Sequence, residues 1–483
     1  MTLEYDGLRT FLRQCEDIGE LKTIKGAHWD LEIGAITETV AELEARPPAL
    51  LFDDVVGYPS GFRVLSLAVV SDKRTALALR LPTDVRRLEL VRLASRKLRS
   101  SPRIPPRFVA QGPVMENRFA GADVDLFKFP SLRSHKHDGG RYIGTGCTVL
   151  MRDPASGYVN MGTYRLQLHD KALLGLWQSP GQQGRQIAES YWKQGKACPV
   201  AITFGGDPLV MMSSYTKFPW GVSELDVAGG ILGHPLDVIE GPLTGLPLPA
   251  HCEIAVEGEI PPPSEESHEE GPFGEWPGYY SGGTIGTGEN QPVIRIKALY
   301  HRNDPILLNM APQWPGAPHQ GPRIASGNLW DQLESAGVPG ITGVYVHNSF
   351  FTAISIDQKY AGHARQTAMA AMGASAIARL NRYVVIVDSD IDPSNMTEVM
   401  WAMQSRIDPD QDIHFVPECW SSPLDPRMPP AKKANGPYTM SRAIFLAVRP
   451  WAWRTQFPLV NRIDAEQRDS VLSKWGAELG LKL

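Results

Sequence analysis

The 483-residue chain has little of what marks a secreted, membrane-bound or nucleic-acid-binding protein. Its five cysteines, Cys15, Cys147, Cys198, Cys252 and Cys419, stand singly, without a CxxC pair, which excludes a disulfide framework and a zinc site of paired thiolates. They read as buried thiols of a reducing compartment. No apolar run approaches the roughly 20 residues that span a bilayer. The opening MTLEYDGLRT also lacks the apolar core of a signal peptide, so a cytoplasmic protein is expected. Nor does one sign of charge dominate. Lys and Arg total 48 against 53 Asp and Glu, which leaves no electrostatic footprint for nucleic acid or an anionic membrane. What is there is an ordinary globular composition, 42% hydrophobic and 21% charged, long enough for two or three domains. Small-molecule chemistry is the class left standing.

Leu8, Phe11, Leu12 and Cys15 recur at i, i+3, i+4 and i+7 before Gly19, predicting an amphipathic helix with a glycine stop. LEIGAITETVAELE, ALLFDDV and RVLSLAVV then predict a small α/β unit up to about residue 95, and the basic, proline-rich Lys97 to Phe108 suits an exposed connection. From about 115 to 310 short β-like runs alternate with Gly, Pro, Asp and Ser: YIGTGCTVLM, YVNMGTYRLQL, EIAVEGEI, VIRIKALY. This predicts a β-rich barrel or sandwich. GGTIGTG at 282–288 precedes a strand pattern, so it is not a dinucleotide-binding loop, which needs a helix N-terminus for the pyrophosphate. The last third returns to α/β, with QTAMAAMGASAIARL as a helix and YVVIVD as a buried strand. In the helix NMTEVMWAMQSR, Met396, Met400 and Met403 read as core filler. Asp464 and Gln467 have capping-box spacing before a helix carrying Val471, Leu472, Trp475 and Leu479, a candidate subunit contact.

In EEGPFGEWPGYY, residues 269–280, Glu270 and Glu275 flank a Gly-Pro-Phe-Gly turn. With Glu265, Glu266 and Glu269 they also fit a solvated acidic loop. A partner that needs carboxylates is offered by YVNMGTYRLQLHD, where Asn160 and Arg165 lie five apart. Strict alternation puts them on opposite strand faces, and a bulge at Gly162 would bring them together. The residues alone leave both readings open.

NMGTYRLQ followed by EGPFGEWPGYY resembles the UbiD-like decarboxylases that use prenylated flavin mononucleotide. The resemblance extends through LEIGAI, ALLFDDVVGYP, DGGRYIGTG, SELDVAGGILGHPLDVIEG, LPAHCEIAVEG, ISIDQKYAGHARQ and VMWAMQSRIDPDQD, in order over almost the whole chain. It implies an α/β N-terminal domain with linker (1–110) and a central split β-barrel holding the flavin (111–320). A C-terminal α/β oligomerisation domain (321–455) and a terminal helical segment (456–483) follow. It implies a Glu-Arg-Glu catalytic network of Glu270, Arg165 and Glu275, and cofactor contacts at Asn160, Thr163, Tyr164, Arg165, Gln182, Ser214, Glu224 and Lys359. Mn²⁺ or Mg²⁺ and a K⁺ would be held by Asn160, Gln183, Glu224, Ser213 and Ser214, oxygen donors that suit hard cations. Gln183 departs from the family, many members of which carry a histidine ligand there. His169 is a poorer substitute, His135 and His137 read as loop residues, and His363 is left unassigned. Tyr164, Gln167 and Asp226 are candidates for polarity near the substrate.

Loss of CO₂ from an sp² carbon needs an electron sink that no side chain supplies. The resemblance implies reversible decarboxylation of an aromatic, heteroaromatic or α,β-unsaturated acid. The route is a covalent flavin-substrate adduct, CO₂ loss and protonation by a glutamate, here Glu275. Carboxylation of a phenolic or aromatic compound is the alternative within the family, and a conventional flavin oxidoreductase the one outside it. Expected partners are the carboxylic acid, a flavin prenyltransferase that supplies the cofactor, and further copies of the chain in a homodimer or homohexamer. Neither nucleic acid nor a membrane is expected.

Overall fold

The structure is a computed structural model and describes residues 7–481 apart from 284, 315–322, 349 and 464. Leu8, Phe11, Leu12 and Cys15 form the buried face of the helix Leu8–Asp17, and Gly19 follows in the left-handed region at φ 73°. The helix Glu32–Leu43 and the strands Leu21–Lys25, Ala49–Asp53 and Arg63–Ser66 complete the expected α/β unit. Its fourth strand, Ile306–Asn309, arrives from the end of the barrel segment and pairs in parallel with Arg63–Ser66. The first two domains therefore share a sheet. The proline-rich connection is more ordered than expected. Lys97 and Arg99 end the helix Arg87–Ser100, where their charge complements the helix dipole, and Arg107–Phe108 pairs with Asp237–Val238.

The centre is a ten-stranded curled sheet that closes into half a barrel. Its strands run in the order Arg141–Gly144, Arg165–Asp170, Leu173–Trp177, Glu289–His301, Ile254–Ile260, Cys198–Phe204, Cys147–Arg152 and Val159–Gly162. Asn117–Ala120 and Ser267–Glu270 add to the long strand Glu289–His301. Alternating residues such as Val149, Leu166, Leu174, Val200, Ile202 and Val256 fill the interior with no exposed surface.

One expectation fails here in an informative way. Residues 159–170 are not one run bulged at Gly162 but two strands. Val159–Gly162 pairs with Cys147–Arg152, whereas Arg165–Asp170 pairs with Arg141–Gly144 and Leu173–Trp177. A bulge displaces a strand by one residue and keeps its partner. Here the halves have different partners, and Thr163 and Tyr164 carry the chain between them.

The C-terminal sheet runs Ile341–Val346, Phe351–Ile356, Tyr383–Asp388, Thr439–Ala447, Ile413–Trp420, with parallel pairs at its centre. The helix His363–Gly373 is shorter than predicted, because residues 374–380 turn where Arg442 donates to the carbonyls of Ile377 and Ala378. The methionine reading is corrected. The helix Met396–Arg406 rests on the sheet through Val399 and Ala402, with Met403 partly buried, so Met396 and Met400 face outward. Three methionines at i, i+4 and i+7 span more than the narrow stripe this helix buries. Val471, Trp475 and Leu479 are exposed as well, and the capping-box Asp464 lies outside the described residues. No helix among the described residues is long and apolar enough to cross a membrane. Phe204, fully buried where the barrel strands meet, tests the core: Phe204→Ala is expected to cost about 3–5 kcal/mol in urea denaturation.

Candidate active site

Arg165 opens its strand and is 6% exposed. Its Nε and Nη2 donate to Glu270 at 2.8 and 2.6 Å, and Nη1 donates to Glu275 at 2.6 Å and to the Ser281 hydroxyl at 2.9 Å. Trp177 and Phe273 lie 4.7 and 5.2 Å from the guanidinium carbon over their rings. Burial works against the Arg165 cation, but Glu270 and Glu275 more than offset it, and its pKa stands above the ordinary value.

The acidic loop therefore divides in two. Glu265 and Glu266 pair with Arg295 near the surface and Glu269 is exposed, while Glu270 and Glu275 turn inward. Gly271, at φ 87°, lets the turn fold tightly, since a side chain there would meet the Gly282 carbonyl at 2.4 Å. One at Gly282 would stand 2.4 Å from Arg165 Nη2. Gln167, proposed from sequence to face substrate, is instead committed to the scaffold. Its Oε1 accepts from Gly271 N–H at 2.8 Å and its Nε2 donates to the Gly139 carbonyl at 3.3 Å.

A second cluster forms across the crossover. The Tyr158 hydroxyl lies 3.4 Å from Asn160 Oδ1, 3.2 Å from Gln183 Oε1 and 3.3 Å from the Val222 carbonyl. One hydroxyl proton serves only one of these three acceptors, and Asn160 Nδ2 is buried without a partner among the described residues. Gln183 Nε2 donates to the Phe218 carbonyl at 3.1 Å, which turns its oxygen inward. Glu224, 4% exposed, opens the helix Glu224–Leu232 and accepts from Met161 N–H at 2.8 Å. Burial pushes its carboxyl up to about 7. The Ser213 hydroxyl is buried without a partner among the described residues, and Ser214 bonds Thr163 Oγ1 at 2.6 Å. A buried carboxylate with the amide oxygens of Asn160 and Gln183 on the same cluster fits a hard cation. No group of three or more His, Cys, Asp or Glu among the described residues does so, and the donors here are mostly neutral. Tyr164, fully packed, accepts from Gly184 N–H at 3.2 Å, and Gln182 caps the helix Gln183–Trp192.

Lys359 is not brought to this cluster. Its ammonium pairs with Asp357 at 2.5 Å and its backbone N–H donates to His363 Nδ1, all within the C-terminal domain. Two further basic groups, Arg379 and Lys217, were not singled out in the sequence. Desolvation holds Arg379 below its ordinary value while Glu275 and Tyr164, within electrostatic reach, pull it upward. Desolvation and the Arg379 charge push Lys217 down to about 8. Neither carries a spacing signal, because Arg379 comes from the turn pinned by Arg442. Asp226 bonds through its backbone to Ile104 and is pushed up by burial, apart from the arginine network. His135 is paired with Asp138 and Glu38 in its loop, and His137 meets the Tyr280 ring. Ser281 and Tyr158, polar neighbours of the two clusters, were likewise not singled out.

The family model described as the 3-octaprenyl-4-hydroxybenzoate carboxy-lyase Rift-related domain (UbiD) matches residues 107–315. The corresponding N-terminal and C-terminal domain models match 12–93 and 321–447. A phenolic acid decarboxylase of Streptomyces sp. (strain D7) is 32% identical over 440 residues, covering 89% of this chain and 90% of its own. The pyrrole-2-carboxylic acid decarboxylase of Pseudomonas aeruginosa is 32% identical over 447, covering 88% and 87%. Among solved structures, the vanillic acid decarboxylase of Sedimentibacter hydroxybenzoicus in closed form has a TM-score of 0.83 at 27% identity, covering 98% of this chain and 99% of that one. An evolved dimeric form of the UbiD-class enzyme HmfF from Pelotomaculum thermopropionicum, in complex with prFMN, has a TM-score of 0.80 at 25% identity, covering 98% and 100%.

Removing the arginine alone strands two buried carboxylates, so Arg165→Met is expected to cost about 3–5 kcal/mol in urea denaturation. The double variant Arg165→Met, Glu270→Gln recovers part of that loss.

Proposed function

The chain belongs to the UbiD family of carboxy-lyases, and from that premise we propose that it is a prenylated-FMN-dependent decarboxylase of an aromatic, heteroaromatic or α,β-unsaturated carboxylic acid. The observation that carries this reading is the buried Glu270–Arg165–Glu275 network, closed by three hydrogen bonds from one guanidinium that also donates to Ser281. The names of the relatives, acting on phenolic and pyrrole acids, support planar, electron-rich substrates.

When bound, the prenylated flavin supplies the electron sink for the pair released as CO₂ departs. The chain supplies position and a proton. Four of the five Arg165 N–H groups are taken by Glu270, Glu275 and Ser281, and the remaining one, on Nη2, is available to orient the substrate carboxylate. Glu270, fully buried, holds the guanidinium edge fixed through two bonds. Two ionised carboxylates on one cation leave a net negative charge in a setting lined by Trp177 and Phe273. One carboxyl of the network has to hold the proton that replaces CO₂ on the product. Glu275, the more open of the pair, delivers that proton to the carbon that CO₂ leaves.

Asn160, Gln183 and Glu224 would hold Mn²⁺ or Mg²⁺, with Ser213 and Ser214 beside K⁺, and the cations would supply positive charge for the flavin phosphate. Arg379 and Lys217, in place of Lys359, would supply the cationic charge that phosphate needs. Thr163, Tyr164 and Gln182 would contact the same cofactor. The exposed Val471, Trp475 and Leu479 support assembly with further copies of the chain.

The deciding experiment is absorbance and mass spectrometry of the flavin retained after co-expression with a flavin prenyltransferase, followed by CO₂ release from a panel of aromatic and unsaturated acids. Prenylated FMN with CO₂ release is the expected result. Plain FMN or no flavin on a folded chain refutes the assignment. Glu275→Gln is expected to lower turnover by at least about 100-fold while flavin content stays at the wild-type level. In calorimetric titration with Mn²⁺ in the presence of FMN, Gln183→Ala is expected to weaken binding by about 10–100-fold.

A further inference from the structure

Behind the arginine network stands a pair of histidines that the reading above leaves without a task. Arg165, Gln167 and His169 occupy alternate positions of one strand and so share a face. Glu270 and His268 alternate in the same way on the strand Ser267–Glu270. Between the two strands lies Leu173–Trp177, and its Gly175 leaves the space open. A side-chain carbon there would sit 2.5 Å from His169 Nε2 and 3.3 Å from Glu270 Cγ. His169 Nε2 is buried with no hydrogen-bond partner among the described residues. Its ring lies over that of His268 at a centroid distance of 5.6 Å and a tilt of 30°. His268 is exposed and its Nε2 stands 3.3 Å from Glu266, which Arg295 anchors at 2.5 Å. Titratable groups thus step from solvent at His268, through half-buried His169, to fully buried Glu270.

Decarboxylation consumes one proton for each CO₂ released, since RCOO⁻ and H⁺ become RH and CO₂. While substrate fills the front of the site, that proton has to come from behind. We propose that His268 and His169 form the conduit that carries solvent protons to Glu270 and so recharges the network, an inference that rests on the decarboxylase reading. His268 takes a proton from water and passes one to His169, and His169 passes one to Glu270, directly after ring rotation or through one bridging water. The proton then passes from Glu270 to Glu275 through one bridging water, and Arg165 keeps its five N–H protons and its charge throughout, so that Glu275 becomes the protonated acid. The groups whose charge His169 feels are His268 and Glu270, and desolvation with His268 holds its pKa low, so it is neutral and able to accept. Tyr142, the other titratable neighbour of Glu270, is pushed far upward by burial and does not exchange protons near neutrality.

The test has two arms. In the full chain carrying histidine labelled with ¹³C at Cε1, the His169 resonance, assigned by its loss in His169→Gln, is expected to titrate at lower pH in Glu270→Gln, where the favourable carboxylate is gone. It is expected to titrate at higher pH in His268→Gln, where a competing cation is gone. An unmoved His169 titration in Glu270→Gln overturns the proposal whatever the activity. In the reconstituted holoenzyme with pyrrole-2-carboxylate as the first probe, His169→Ala is expected to lower kcat about 100-fold at unchanged flavin content, with added imidazole restoring it. An unchanged kcat, or a loss that imidazole leaves untouched, overturns the conduit. His268→Gln, on the surface, serves if His169→Ala fails to fold. It is expected to slow turnover by about tenfold, and wild-type turnover in it overturns the conduit. Absence of CO₂ release from wild type on the whole acid panel counts against the decarboxylase reading, while the resonance titrations still decide whether the pair is coupled.

Discussion

Everything at the heart of this molecule is arranged around one buried cation. Arg165 sits where water does not reach, and it is tolerable there only because Glu270 and Glu275, more than a hundred residues later in the chain, meet it at hydrogen-bond distance. That requirement reaches outward into the backbone. Gly271 and Gly282 let the turn close on the guanidinium, Gln167 spends both ends of its amide holding the turn, and Gly175 clears the ground beneath Glu270. The curled sheet supplies the rigid frame, since Arg165 lies on a strand paired on both sides.

Charge is left unbalanced in two neighbouring places. Around Glu224 burial pushes the carboxyl up to about 7, and desolvation holds the cations Arg379 and Lys217 below their ordinary values. Each is costly in isolation, because burying an unpaired polar or charged group is unfavourable. Together they would suit a ligand that carries both a hard cation and a phosphate, as the proposed flavin mononucleotide would. The same logic divides labour along the Thr163–Tyr164 crossover: one strand faces the cation cluster, and the next faces the arginine network.

Much of this was legible beforehand, and the parts that were have a common character. The helix Leu8–Asp17 and the strand Tyr383–Asp388 follow from local periodicity, and the rejection of GGTIGTG as a nucleotide loop follows from the strand behind it. Glu270, Glu275 and Arg165 were found through motif resemblance, and the structure brings them together. Non-local pairing defeated the rest. A run that looked continuous from Val159 to Asp170 is two strands because their partners differ, and Ile306–Asn309 leaves the barrel for the N-terminal sheet. Met396 and Met400 looked like core because hydrophobicity was counted without knowing how narrow a stripe the sheet covers.

By itself the sequence determined the kinds of chemistry available: two carboxylates beside a tight turn, an arginine in a glycine-flanked β-run, oxygen ligands suited to a hard cation, and no paired thiols for a softer one. Only the tertiary structure decided which groups meet. It paired Lys359 with Asp357, turned the Gln183 oxygen inward by tying its nitrogen to Phe218, and set His169 against Glu270 across Gly175. The reason is physical. Residue type and short-range spacing are properties of the chain, whereas the electrostatic value of a side chain depends on what burial removes and which distant partner replaces the water it has lost.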